Sequence, residues 1–197
     1  MNRPDTPVSP CGCQASQPSD PRRRRVIRIA SASLAAPLAM AALPAAAAAE
    51  GDRLVEEDAE GRPQPLRVAD LKPGKPVVAW PLDMSRGAPR DETRLNKVLL
   101  IRLPESAMTP ETRARAAGGV LAYSAVCTHQ GCDVKTWVSK EQALVCYCHS
   151  SKFALLDGGA VVGGPASRAL PAVPLRLEGD QLVLAGAFIA PPGGAPA

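Results

Sequence analysis

The chain has two histidines, His129 and His149, and each sits in a short cysteine-bearing box. The first box reads Cys127-Thr128-His129-Gln130-Gly131-Cys132, the second Cys146-Tyr147-Cys148-His149-Ser150-Ser151. Core packing gives no reason for six soft or borderline ligands in two short segments. One Cys and one His from each box make a two-Cys, two-His donor set, with one Cys per box left over. Such a set suits either a structural Zn²⁺ or an iron–sulfur cluster with mixed ligation. Structural zinc would leave the two further cysteines, in register with each other, unexplained.

The double box resembles the Rieske iron–sulfur proteins, whose pattern is C-T-H-x-G-C followed by C-P-C-H-G-S. The resemblance runs from about Ala122 to Gly186. It implies one [2Fe–2S] cluster, with Cys127 and Cys146 on one iron and His129 and His149 on the other. It also implies a disulfide between Cys132 and Cys148, and a Ser151 hydroxyl that donates to a cluster sulfide. Gly163-Gly164-Pro165-Ala166 matches the family's Gly-Pro-Ala segment, which covers the cluster from a third side. The sequence departs from the pattern at four places. Tyr147 replaces Pro, Ser150 replaces Gly, Gln130 replaces an apolar shield, and Phe153 replaces a tyrosine that donates to a ligand sulfur. Fewer hydrogen bonds to sulfur stabilise the reduced form less, so a potential below that of quinol-oxidising members is expected.

Charge counting explains the mixed ligand set. Two ferric ions, two sulfides and two thiolates sum to zero when the imidazoles are neutral, and one electron makes the centre negative. An all-cysteine cluster starts more negative and resists reduction more. The imidazole nitrogens facing away from iron can carry protons, so electron and proton uptake can be coupled at His129 and His149.

The formal net charge of +4 comes from the first 49 residues, which hold six arginines against two aspartates. The rest carries 17 basic and 17 acidic residues, so no basic face argues for nucleic acid. The first segment reads as export targeting. Arg22-Arg23-Arg24-Arg25-Val26-Ile27 precedes an Ala-rich apolar run, and Ala47-Ala48-Ala49 offers a small-residue cut site. Paired arginines before two apolar residues fit a twin-arginine signal, which suits a protein that takes up its metal before crossing the membrane. The run from Ile29 to Ala49 is long enough to span, but Pro37, Pro44 and its alanines favour cleavage over retention as an anchor. The expected location is the periplasmic side of a bacterial inner membrane, soluble after cleavage or N-terminally anchored.

The expected organisation is a twin-arginine signal or anchor over 1–49, a lead-in linker over 50–65, a Rieske domain over 66–189 and a disordered tail over 190–197. The fold class is all-β: a small antiparallel barrel or sandwich carrying a subdomain of two cluster-binding loops. Short apolar runs separated by Gly, Pro, Asp and Ser predict strands at 66–71, 77–80, 98–103, 120–126, 134–138, 143–147 and 161–162. Leu175-Arg176-Leu177 and Leu182-Val183-Leu184 predict a terminal hairpin. Thr109 and Pro110 open the one helical candidate, Pro110 to Ala117. Trp137 and Trp80 read as packing residues. Asp83 to Arg94 reads as a polar loop that could face a partner.

The resemblance implies a one-electron transfer subunit with no substrate site of its own. One version belongs to a respiratory quinol:cytochrome c oxidoreductase, between cytochrome b with its quinol and a c-type cytochrome. Another is the Rieske small subunit of an arsenite-oxidase-like molybdoenzyme. A third reading is a zinc-stabilised periplasmic binding module. A catalytic Rieske oxygenase subunit needs a second iron site with further histidines, which the chain lacks.

Overall fold

The computed structural model describes residues 47–58 and 63–194. Among these, the strands form two antiparallel sheets. The larger runs in the order β10 (Ala172–Val173), β5 (Val120–Ser124), β4 (Val98–Arg102), β2 (Val77–Asp83), β1 (Arg53–Glu56), β12 (Gln181–Leu184), β11 (Leu175–Glu178), with β3 (Ala88–Pro89) paired to β2. The smaller runs β6 (Thr136–Val138), β7 (Ala143–Cys146), β8 (Ser151–Ala154), β9 (Ala160–Gly163). The outer strands of the larger sheet, β10 and β11, are separated in sequence by Pro174 alone. Its two edges therefore belong to one continuous stretch, and the sheet curls almost to closure.

Period-two alternation sorts the apolar runs onto two cores. Val98 and Leu100 in β4 and Val120 and Ala122 in β5 face inside the large sheet, with Leu54, Val173 and Leu184. Leu99, Ile101, Leu121 and Tyr123 point to the opposite face and meet Leu144, Phe153 and Leu155 of the smaller sheet and its flank. Because β4 and β5 are buried on both faces, they read as unbroken apolar runs in the sequence. Each fully buried Leu contributes about 1.5–3 kcal/mol of transfer free energy. The smaller sheet is thus anchored on the outer face of the larger one.

The terminal hairpin forms in the expected register, with Leu175 opposite Leu184 and Leu177 opposite Leu182. A two-residue turn, Gly179-Asp180, closes it, with Gly179 at φ 64°. Four expectations need correction. The linker over 50–65 contributes β1, whose Leu54 and Val55 are buried among flanking charges that hid them. Residues 66–71 are not a strand. The Asp70 carboxylate accepts from the Arg67 N–H at 2.8 Å and draws Val68–Asp70 into a 3₁₀ turn. The helix stops at Arg113 and gives way to tighter turns, with Arg115 N–H donating to the Thr112 carbonyl and Ala116 N–H to the Arg113 carbonyl; Gly118 and Gly119, both at positive φ, then turn the chain back into β5. The tail is packed as far as it is described, with Gly193 buried.

The polar stretch 83–94 carries β3 and a half-buried cluster. Arg90 bonds both carboxylate oxygens of Asp52, at 2.7 and 3.1 Å, and approaches Asp83 at 3.1 Å. Trp80 lies under the Lys97 ammonium at 5.4 Å, and Trp137 packs at the rim of the core. Most of the segment expected to target the chain, residues 1–46, lies outside the described residues.

Candidate metal centre

Both boxes occupy loops at one end of the smaller sheet. The first follows β5. Its turn is closed by Cys127 N–H to the Cys132 carbonyl at 2.8 Å and Gly131 N–H to the Cys127 carbonyl at 3.0 Å. The second joins β7 to β8, with Cys146 directly opposite Ser151 in the ladder. The strand alternation that buries Leu144 and Phe153 therefore also fixes where Cys146 and Ser151 enter the site.

Cys127 and Cys146 are free thiols, both buried. Burial pushes the Cys127 thiol up, and the neighbouring Cys146 thiol adds to this. Two adjacent buried thiols are a donor pair that a soft or borderline cation binds as thiolates. The two imidazoles lie edge to face, with ring centroids 4.8 Å apart and planes at 83°. His149 is exposed and His129 half-buried. Two buried polar atoms of the site lack a hydrogen bond of normal geometry, His129 Nδ1 and Ser151 Oγ, and the Ser151 hydroxyl lies beside the Cys127 sulfur. Buried polar groups are rarely left unpaired, so His129 Nδ1 points to an absent neighbour.

Cys132 and Cys148 are joined by a disulfide, with Cα atoms 6.6 Å apart. The Cys146 sulfur lies within 4.8 Å of both bridge sulfurs. Paired sulfurs are not thiolate donors, so this proximity does not make a three-cysteine site. A third loop, Gly163 to Ala166, leans on the second box. A Cβ on Gly164 would stand 2.5 Å from Ser151 Cα and 2.6 Å from Ser151 N, and Gly164 has φ 78°. Only glycine permits that approach.

Residues 68–174 match the Rieske [2Fe-2S] domain family. This chain belongs to that family. It is 38% identical, over 63% of its length and 54% of the other's, to a Haloferax mediterranei protein named as the Rieske subunit of a respiratory nitrate reductase. It is 32% identical, over 66% of its length and 79% of the other's, to the Rieske iron–sulfur subunit of the cytochrome bc1 complex of Streptomyces lividans. Among solved structures it is similar to the plasma-membrane Rieske protein of Synechocystis, at 25% identity and a TM-score of 0.40, covering 60% of this chain and 93% of that one. The chain thus spans about half the length of the first of these relatives, 54%.

A Rieske domain carries a single [2Fe–2S] cluster, and the residues present fit one. The two boxes supply two buried free thiols and two neighbouring imidazoles, one with an unpartnered Nδ1, and the buried Ser151 hydroxyl belongs to the second box. At the substituted positions, Tyr147 is 71% exposed at the tip and Gln130 is exposed, while Phe153 is fully buried. Ser150 takes φ 61°, the left-handed conformation suited to the glycine of the family's pattern. Sequence reading missed Thr128 and Arg168. Thr128 is buried, and its hydroxyl donates to the Arg168 carbonyl at 2.7 Å, which ties the first box to the chain beyond the third loop. A lone Thr or Arg in a loop gives no sequence signal of such a contact.

Proposed function

We propose that Cys127 and Cys146 hold one iron of the cluster, that His129 and His149 hold the other, and that the domain passes single electrons between partner proteins. When bound, the group accepts and returns one electron. The observation that carries the reading is the buried free Cys127–Cys146 pair together with two imidazoles 4.8 Å apart from the same two boxes, with His129 Nδ1 buried and unpartnered. The Ser151 hydroxyl would donate to a sulfide of the bound cluster. The Cys132–Cys148 bridge limits how far the two loops can open. The exposed His149 edge and Tyr147 form the face offered to a partner.

Low-temperature EPR of the dithionite-reduced protein tests this. Ligation by two imidazoles and two thiolates gives an average g clearly below the free-electron value. A zinc site gives no signal, and colourless, iron-free protein would end the reading.

The partners follow from the relatives' names only as proposals. A subunit of a quinol:cytochrome c oxidoreductase would receive electrons from quinol at cytochrome b and pass them to a c-type haem. The exposed Gln130 and the hydroxyl-free Phe153 support a second assignment, to a lower-potential relay from a molybdenum subunit. A redox titration separates them, since quinol oxidation needs a potential at the top of the family's range. The proposed location is the periplasmic side of a bacterial membrane, after twin-arginine export. Among the described residues no helix is long and apolar enough to cross a membrane.

A further inference from the structure

Four segments close a ring around the two boxes. The disulfide joins the first box to the second. Gly164 brings the third loop against Ser151. Thr128 ties the first box to Arg168 through the Arg168 carbonyl. The Arg168 side chain then reaches the other way, its Nη2 donating to the Gly193 carbonyl at 2.5 Å. The C-terminal segment gripped in this way returns to the first box. A Cβ on Gly194 would lie 2.7 Å from the His129 carbonyl oxygen and 3.4 Å from Gln130 Cα.

We propose that Arg168 and residues 191–194 form a strap that positions His129. The inference rests on the reading of His129 as an iron ligand. The first box is a turn closed by main-chain hydrogen bonds within itself, and its Gln130 faces water. The bridge at Cys132 and the Thr128 hydroxyl hold its two flanks. The backbone of His129 itself is backed by Gly194, and Pro192, Gly193 and Gly194 share a cleft wall with His129 and Gln130.

Composition alone makes this segment look loose, but both glycines are there for steric reasons. Gly193 is buried at φ 87°, where an added Cβ would press on the Leu95 side chain at 3.0 Å. Gly194 has no room for a side chain against the His129 carbonyl. Arg168 supplies a charge-assisted hydrogen bond, the stronger kind, to a carbonyl on a buried residue. With the main chain clamped, movement of the loop cannot carry the His129 imidazole away from the metal unless the strap lifts first.

The test uses the full-length, cluster-loaded protein and three alterations: Arg168→Ala, Gly194→Ala and a chain ending at Ala190. Arg168→Lys, which keeps a charged donor, is the rescue variant. The readouts are the rate of iron transfer to a chelator, the EPR line widths of the reduced protein, and the unfolding midpoint of the metal-free protein. All three alterations should release iron faster, by about tenfold for Arg168→Ala, and should broaden the EPR lines as His129 samples more orientations. Arg168→Lys should move back toward the parent protein. Unchanged release and line widths would overturn the proposal. So would release that rises only in proportion to a lowered metal-free midpoint, since that is general destabilisation. If the unaltered protein lacks the mixed-ligand signal, the ligand reading itself fails and the strap's role falls with it. A normal signal with insensitive variants condemns the strap alone.

Discussion

The Tyr123 hydroxyl donates to the Leu155 carbonyl at 2.6 Å, across the core that joins the large sheet to the metal-binding sheet. Tyr123 lies in β5, four residues before the first box begins, and Leu155 follows β8. The bond therefore sets the platform on which both boxes stand.

Tyr123→Phe should cost about 1–2 kcal/mol, because it leaves a buried carbonyl without this donor. Burial pushes the Tyr123 phenol well up, against a partly opposing Arg115 charge. The sign follows directly. A folded-state value above the unfolded one makes the contribution complete below about pH 10, where a free phenol ionises. It is lost as pH rises from there toward the folded value. Urea denaturation from pH 8 to 11 should show an alkaline loss of stability that the Phe variant lacks in part. Parallel curves for the two proteins would rule the account out.

Ser150→Gly should stabilise the domain by about 0.5–1 kcal/mol, since left-handed backbone costs a side-chain-bearing residue more than glycine's extra chain entropy. Ser150 sits there at φ 61°, between the proposed ligand His149 and the buried Ser151. The unfolding midpoint should rise by about 1–4 °C, with the EPR spectrum unchanged. A fall in midpoint would show that the Ser150 side chain makes a contact worth more than the strain.

The boxes were legible because metal chemistry constrains residue type and spacing more tightly than packing does. Tyr147, Ser150 and Phe153 stood out only against the family's pattern. The strands at 98–102 and 120–124 were legible because burial on both faces writes an unbroken apolar run. β1 was not, because its two buried residues, Leu54 and Val55, lie between Arg53 and Glu56. β3 and β10 are two residues each, too short to leave a period. The tail misled for a different reason. Gly193 and Gly194 have the composition of a flexible end, yet their missing side chains are what allow close packing. Contacts such as Thr128 to Arg168 span 40 residues and depend on the completed fold.

Ala48 constrains where an export signal can be cut. It is 3% exposed within the large-sheet core, and its N–H donates to Asn96 Oδ1 at 3.3 Å. The next N–H, of Ala49, donates to the Asp52 carboxylate at 2.9 Å. Cleavage after Ala49, the expected position, would strip Ala48 from a folded domain. A twin-arginine substrate folds before it reaches a peptidase, so that bond would already be shielded. Intact-mass measurement of exported protein should give an N-terminus ahead of Ala47, or an uncut chain. A mature chain starting at Glu50 would contradict the burial argument.

Phe153→Tyr should raise the reduction potential. Phe153 is fully buried in β8, two residues beyond Ser151 on the same face. The family's pattern has a tyrosine at this position whose hydroxyl donates to a ligand sulfur. The reduced form carries the extra negative charge, so a donor near its thiolates favours it over the oxidised form. One such hydrogen bond, at about 1 kcal/mol of differential stabilisation, corresponds to roughly 40 mV for a one-electron couple. Ser151→Ala should act in the opposite sense, by removing a hydroxyl that is buried beside the Cys127 sulfur. Protein-film voltammetry of the two variants reads both shifts against the parent. Potentials that move together, or not at all, would mean that neither hydroxyl position addresses the sulfur atoms, and that the departures at these positions do not set the potential.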